Sequence, residues 1–189
     1  MVGRIFASTR QIIWFAFFVL WIVLDVVELG LVSQQIHKHG RLTANWPTLI
    51  YYHAMGLLLF SGIVGLLFGM FFWYMGLPIL MFLFLCFGVW YGTAAGIFHN
   101  TPFGHGYGSQ CSNAASSFPT NYQPFLSDCT RVEAIEAFAW TMFGLSVIGL
   151  FYAFHDGYSL TKKRNDVFDN LIVEKEKHAK VVDEEAATH

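Results

Sequence analysis

The sequence predicts an all-α membrane protein, a bundle of four transmembrane helices, and two observations carry that reading. Of its 189 residues 55% are hydrophobic, 18% aromatic and only 13% charged, whereas a soluble domain carries roughly 25% charge. From Ala54 to Phe98 there are 45 consecutive residues without Asp, Glu, Lys, Arg or His. One helix of that length would reach about 68 Å, more than twice a hydrocarbon core of about 30 Å. The run therefore holds two spans joined by a tight turn.

Span one is expected over 12–32, interrupted by Asp25 and Glu28. Asp25-Val26-Val27-Glu28 is a poor approach to a small-residue cleavage site, so this is read as a retained span and not a signal peptide. A polar hairpin, Ser33 to Trp46, leads to Pro47, which suits a first helical turn because its missing N–H has no partner there. Span two follows over 48–69. The turn falls at Tyr74-Met75-Gly76-Leu77, and span three runs over 78–98 behind Pro78. Gly-, Ser-, Pro- and Asn-rich sequence over 99–130 reads as a loop. Span four is placed at 131–154, which makes 1–158 the membrane domain and 159–189 a polar tail.

Lys and Arg set the orientation. Arg4, Arg10, Lys162, Lys163, Arg164, Lys175, Lys177 and Lys180 share one side with the uncharged turn, against Lys38, Arg41 and Arg131 on the other. The positive-inside rule puts both termini in the cytosol. Trp14 and Trp73 then lie toward the inner interface, and Trp46, Tyr51 and Tyr52 toward the outer one.

A net charge of −2 with no clustered basic face excludes a nucleic-acid partner. No CxxC or Cys/His spacing suggests a metal, and no nucleophile is paired with a base, so neither a metal nor a catalytic residue is expected. Gly104-His105-Gly106-Tyr107-Gly108 follows a membrane helix instead of a strand, which argues against a nucleotide loop. His53 and His99 both fall near the outer edge and could form one bis-His haem pair, but His155 lies at the inner edge and there is no second matched pair, so haem is not expected. No cofactor is expected beyond bound membrane lipid or sterol.

Three features carry the functional reading. Cys111 and Cys129 bracket the outer loop, and in an oxidising compartment a disulfide closing it would restrict the unfolded chain by about 3 kcal/mol. Gly88, Gly92 and Gly96 repeat every fourth residue in span three, and Gly65 and Gly69 pair in span two. Small residues on one stripe let helix backbones approach in lipid, either within this chain or against a partner. Finally, Asp25, Glu28, His53, Glu133 and Glu136 are expected to share an outer layer of the membrane, with Asp25 about 20 Å and Glu28 about 24 Å from the inner edge. Four carboxyls there cannot all carry charge cheaply. Three roles are open to them: a hydrogen-bonded packing cluster, a proton or cation site, or a lipid-headgroup contact. In the tail, Val167, Phe168, Leu171 and Ile172 are spaced for a short amphipathic helix, although a mostly disordered charged tail is the preferred reading.

The layout resembles the MARVEL, or membrane-associating, domain family, and most of all its fungal members related to non-classical export and eisosome-associated proteins. The resemblance covers Arg4 to Tyr158. It rests on Thr9-Arg10 leading into a first span that ends Val27-Glu28-Leu29-Gly30-Leu31, on the short first outer loop and tight inner turn, on the small-residue stripe of span three, and on Cys129-Thr130-Arg131 followed by Ala134 to Trp140. It implies a non-catalytic organiser or accessory subunit of plasma-membrane microdomains or trafficking, bound to lipids and to larger integral membrane proteins or to itself. The competing expectation is a small proton or cation transporter using the intramembrane acids.

Overall fold

A computed structural model describes residues 9–40, 42–104, 111 and 115–187, without the side chains of Thr9, Arg10, Ala44 and 160–187. Four helices make up most of it: α1 Thr9–His39, α2 Leu49–Phe71, α3 Leu77–His99 and α4 Cys129–Ala187. Each contains a segment long and apolar enough to cross a membrane. No strand occurs among the described residues.

The helix ends follow local chemistry. Thr48 caps α2, its hydroxyl accepting the Tyr51 N–H at 3.2 Å. Pro47 therefore precedes the cap and does not open the helix, whereas Pro78 does sit in the first turn of α3. α1 stops at Gly40, whose φ of +74° brings its N–H to the Ile36 carbonyl at 2.8 Å. Only glycine adopts that left-handed position without a Cβ clash.

The helices associate through seams in which buried positions recur in steps of three and four. On α1 the seam is Phe18, Trp21, Asp25, Glu28, Val32 and Gln35; on α3 it is Leu80, Phe84, Phe87, Tyr91, Ala94 and Phe98. α4 repeats it with Val132, Ile135, Ala139, Met142 and Ser146. A mean spacing of 3.5 keeps one stripe facing its neighbours along the whole helix, the pattern of left-handed antiparallel bundles.

The pairings run up and down in turn. Trp21 meets Phe68 across α1–α2, and Tyr51 meets Phe98 across α2–α3 with ring centroids 5.2 Å apart. Gln35 bonds Arg131 across α1–α4. Near the α2–α3 turn, Phe18 stacks on Phe72 at 4.0 Å and Trp21 meets Phe87 edge-on at 5.3 Å. Such pairs contribute about 0.5–1.5 kcal/mol each beyond area burial, which matters where lipid removes the hydrophobic drive between helices.

Several boundaries differ from expectation. α1 continues past Val32 to His39, so half of the expected hairpin belongs to that helix, and Asp25 and Glu28 lie near the middle of a 31-residue helix. Trp46 and Tyr51 are both buried, their tilted rings 5.7 Å apart. The loop carries 3₁₀ turns at Ala115–Ser117 and Gln123–Asp128, and α4 begins two residues before the expected Arg131.

The chain divides into two compact units after Leu150. The second unit is helical to Ala187, where a mostly disordered tail was expected. The side chains of Val167, Phe168, Leu171 and Ile172 lie outside the described residues, as do those of Arg4, Arg10, Arg41 and the tail lysines on which the orientation rests. His105 to Gly108 are outside them too.

Candidate functional site

The four expected acids and His53 do not form one layer. Asp25 and Glu28 are sealed inside the bundle at 0% and 1% exposure. The Tyr91 hydroxyl on α3 donates to Asp25 Oδ1 at 2.7 Å, and Ser61 of α2 faces the same hydroxyl. Asp25 Oδ2, both Glu28 oxygens and the Trp21 indole N–H have no hydrogen-bond partner among the described residues. Buried polar groups without partners are rare and costly, which marks this layer as unusual.

Glu136, also buried, accepts instead from His99 Nδ1 at 2.9 Å. Tyr91 and His99 are eight residues apart on α3, so the two carboxyl sites are separated by about 12 Å along that helix. Glu133 is partly buried one turn before Glu136. His53 faces outward on α2 beside Tyr52 and joins neither site. The acids separate because the seam of α1 turns Asp25 and Glu28 toward α2 and α3, while α4 offers Glu136 to the end of α3.

A further carboxylate, missed by sequence reasoning, holds the loop end of the bundle. Asp128, 1% exposed, accepts from Lys38 Nζ at 2.6 Å, His39 Nε2 at 2.7 Å and Arg131 Nη1 at 3.3 Å. Arg131 also donates to Gln35 Oε1 at 3.0 Å. The His39 ring lies 5.4 Å from that of Trp46 and 4.9 Å from that of Phe125. The adjacent Cys129 meets Cys111 at bonding distance, with Cα atoms 5.6 Å apart, as the loop reading expected. The available signal was Asp128 beside Cys129, on the same side of the membrane as Lys38 and His39 of the expected hairpin.

The two glycine groups have different neighbours. A methyl built on Gly62 would lie 2.7 Å from Leu29 Cγ, on Gly65 3.0 Å from Asp25 Oδ1, and on Gly69 2.6 Å from Ile22 Cγ1. Those residues seat α1 tightly on α2. On α3 a methyl at Gly92 would meet the Phe143 ring at 2.9 Å, one at Gly88 would lie 3.8 Å from Ser146 Cβ, and at Gly96 nothing stands within 4 Å.

Gly88 and Gly92 instead floor an apolar groove of about 490 Å³ between α3 and α4, walled by Phe84, Leu85, Val89, Trp140, Phe143 and Val147. A second groove of about 490 Å³ at the loop end of α2 and α3 is lined by Gly96 and by the polar Thr48, Asn100 and Thr101. Both share Gly92 and Thr93.

Among the described residues no group of three or more His, Cys, Asp or Glu is placed to hold a metal ion. Comparison of the chain with family models, with curated proteins and with solved structures finds no match in any of the three.

Proposed function

We propose that this multi-pass membrane protein is a non-catalytic organiser or accessory subunit of MARVEL type. It would hold lipid and neighbouring membrane proteins in plasma-membrane microdomains or trafficking membranes, with both termini in the cytosol. The observation that supports this most is the glycine-floored groove between α3 and α4. Its volume is that of a small-molecule site, and its apolar walls suit hydrocarbon. The adjoining groove adds hydroxyl and amide groups at the loop end, where a lipid carries its polar part. The Gly62, Gly65 and Gly69 stripe of α2 is occupied by α1, so of the two glycine stripes it is that of α3 that lines open grooves.

Gly88→Leu tests this: the first added carbon stands at ordinary contact distance from Ser146, and the rest of the side chain takes up groove volume. The expected result is loss of lipid that co-purifies with the wild type under gentle extraction, with melting temperature unchanged. An identical lipid complement by mass spectrometry would refute the groove as the binding surface.

One observation favours transport as a second reading: the burial of Asp25 and Glu28 within the membrane-spanning bundle. Proton or cation flux in reconstituted vesicles, abolished by Glu28→Gln, would replace the organiser with a transporter.

A further inference from the structure

We propose that the two joined grooves on α3 hold one uncharged, single-chain lipid with a hydroxyl head, a monoacylglycerol, its head at the loop end. The inference rests on the groove being a lipid site and adds which lipid it takes. It begins from charge. Among the described residues that line either groove there is no Asp, Glu, Lys, Arg or His. The basic side chains at the loop end are engaged elsewhere, Lys38, His39 and Arg131 by Asp128, and His99 by Glu136. A carboxylate or phosphate drawn into the groove would stand without a counter-charge, which apolar surroundings penalise. A neutral head carries no such cost.

The polar end has hydrogen-bonding capacity left over. The Thr48 hydroxyl accepts the Tyr51 N–H at 3.2 Å and keeps its own proton to donate. The Thr101 hydroxyl donates to the Phe98 carbonyl at 2.7 Å, and the Asn100 amide donates to the Gly96 carbonyl at 2.8 Å. Each of those two side chains keeps an oxygen that accepts. One donor and two acceptors suit hydroxyl groups, which do both. A quaternary ammonium head has no N–H or O–H for the two acceptors.

The route through the grooves sets the number and kind of chains. On α3 the lining positions run from Asn100 through Gly96, Gly92 and Gly88 to Phe84, about 24 Å along the helix. The far wall at the loop end is Ile50 and Tyr51 of α2, whereas beyond it the far wall is Trp140, Phe143 and Val147 of α4. The path therefore passes from one flank of α3 to the other at Gly92 and Thr93, the two residues the grooves share. A flexible chain bends across α3 there, over the space left open at Gly96. The fused rings of a sterol do not bend. The grooves follow one another along the helix instead of lying side by side, so they take one chain and not two.

The test uses the full chain in phosphatidylcholine nanodiscs with a monoacylglycerol that carries a photoreactive diazirine near the end of its chain. Irradiation is expected to label the peptides of α3 and α4 that contain Phe84 to Val89 and Phe143 to Leu150, mapped by mass spectrometry. Unlabelled monoolein is expected to reduce that labelling several-fold, whereas oleate at alkaline pH, diolein and cholesterol at the same mole fraction leave it unchanged. Asn100→Leu, which removes an acceptor from the polar end, is expected to weaken the labelling, and unchanged labelling would overturn the placement of the head. The competition arms use the wild type and stand if that variant misfolds. Competition by oleate equal to that by monoolein overturns the uncharged head, and competition by diolein or cholesterol overturns the single flexible chain. In both cases the groove remains a lipid site. Labelling that no competitor reduces comes from bulk lipid and overturns this occupant. Labelling absent from those peptides overturns the occupant and the groove together.

Discussion

Gly65→Leu is expected to lower the melting temperature steeply and Gly96→Leu to leave it where it is, although both put the same side chain on a membrane-helix glycine. At Gly65 the first added carbon alone would lie 3.0 Å from one Asp25 oxygen and 3.1 Å from the other. The rest of a leucine has to displace a fully buried carboxyl or force α1 away from α2. Overpacking of a tight interface costs about 1–3 kcal/mol, and here the displaced group is a carboxyl bonded to Tyr91, a hydrogen bond that adds about 0.5–1.5 kcal/mol when lost. At Gly96 nothing stands within 4 Å. Thermal unfolding in one detergent, with insertion checked first, measures both. Equal losses for the two variants would mean that α1 does not seat on the α2 stripe.

Asp128→Ala is expected to cost about 2 kcal/mol and to loosen the loop end of α1 from α4. Removing one member of a buried ion pair costs about 3–5 kcal/mol when the other charge stays buried. Lys38 and Arg131 keep 46% and 25% of their side-chain surface exposed, so on losing the carboxylate they regain water and the cost falls. Asp128→Asn retains an acceptor for the same donors and is expected to fall between. A difference from wild type in hydrogen exchange confined to His37–His39 and Arg131–Val132 would locate the effect. Unchanged melting and exchange would show that Lys38, His39 and Arg131 gain nothing from the carboxylate.

How far the site could be read from the chain varies from residue to residue. Cys111 and Cys129 were paired correctly because they are the two cysteines outside the apolar run. Asp25 and Glu28 were marked because ionisable groups inside a span stand out against 45 residues that contain none. Their neighbours were not marked. Tyr91 and Trp21 look like ordinary aromatic residues in an aromatic-rich chain, and only the seam spacing of α1 and α3 brings them to the acids. His53 was grouped with the acids by depth, but depth along a helix says nothing about direction around it, and His53 points outward. The glycines were read as one kind of feature. They are two: one stripe is filled by α1 and the other lines open grooves.

The sequence by itself determined the solvent and the segmentation. Charge missing from a continuous run longer than one membrane crossing requires two helices, and the flanking polar segments delimit the remaining two. That follows from backbone hydrogen bonding, which in hydrocarbon must be satisfied inside each segment and leaves the helix as the local solution. Only the tertiary structure decided which face each helix turns inward. In lipid both faces of a span are apolar, so hydropathy does not choose between them. The choice falls to close packing at Gly62, Gly65 and Gly69 and to a few polar contacts, Tyr91 with Asp25, His99 with Glu136, and Asp128 with Lys38, His39 and Arg131.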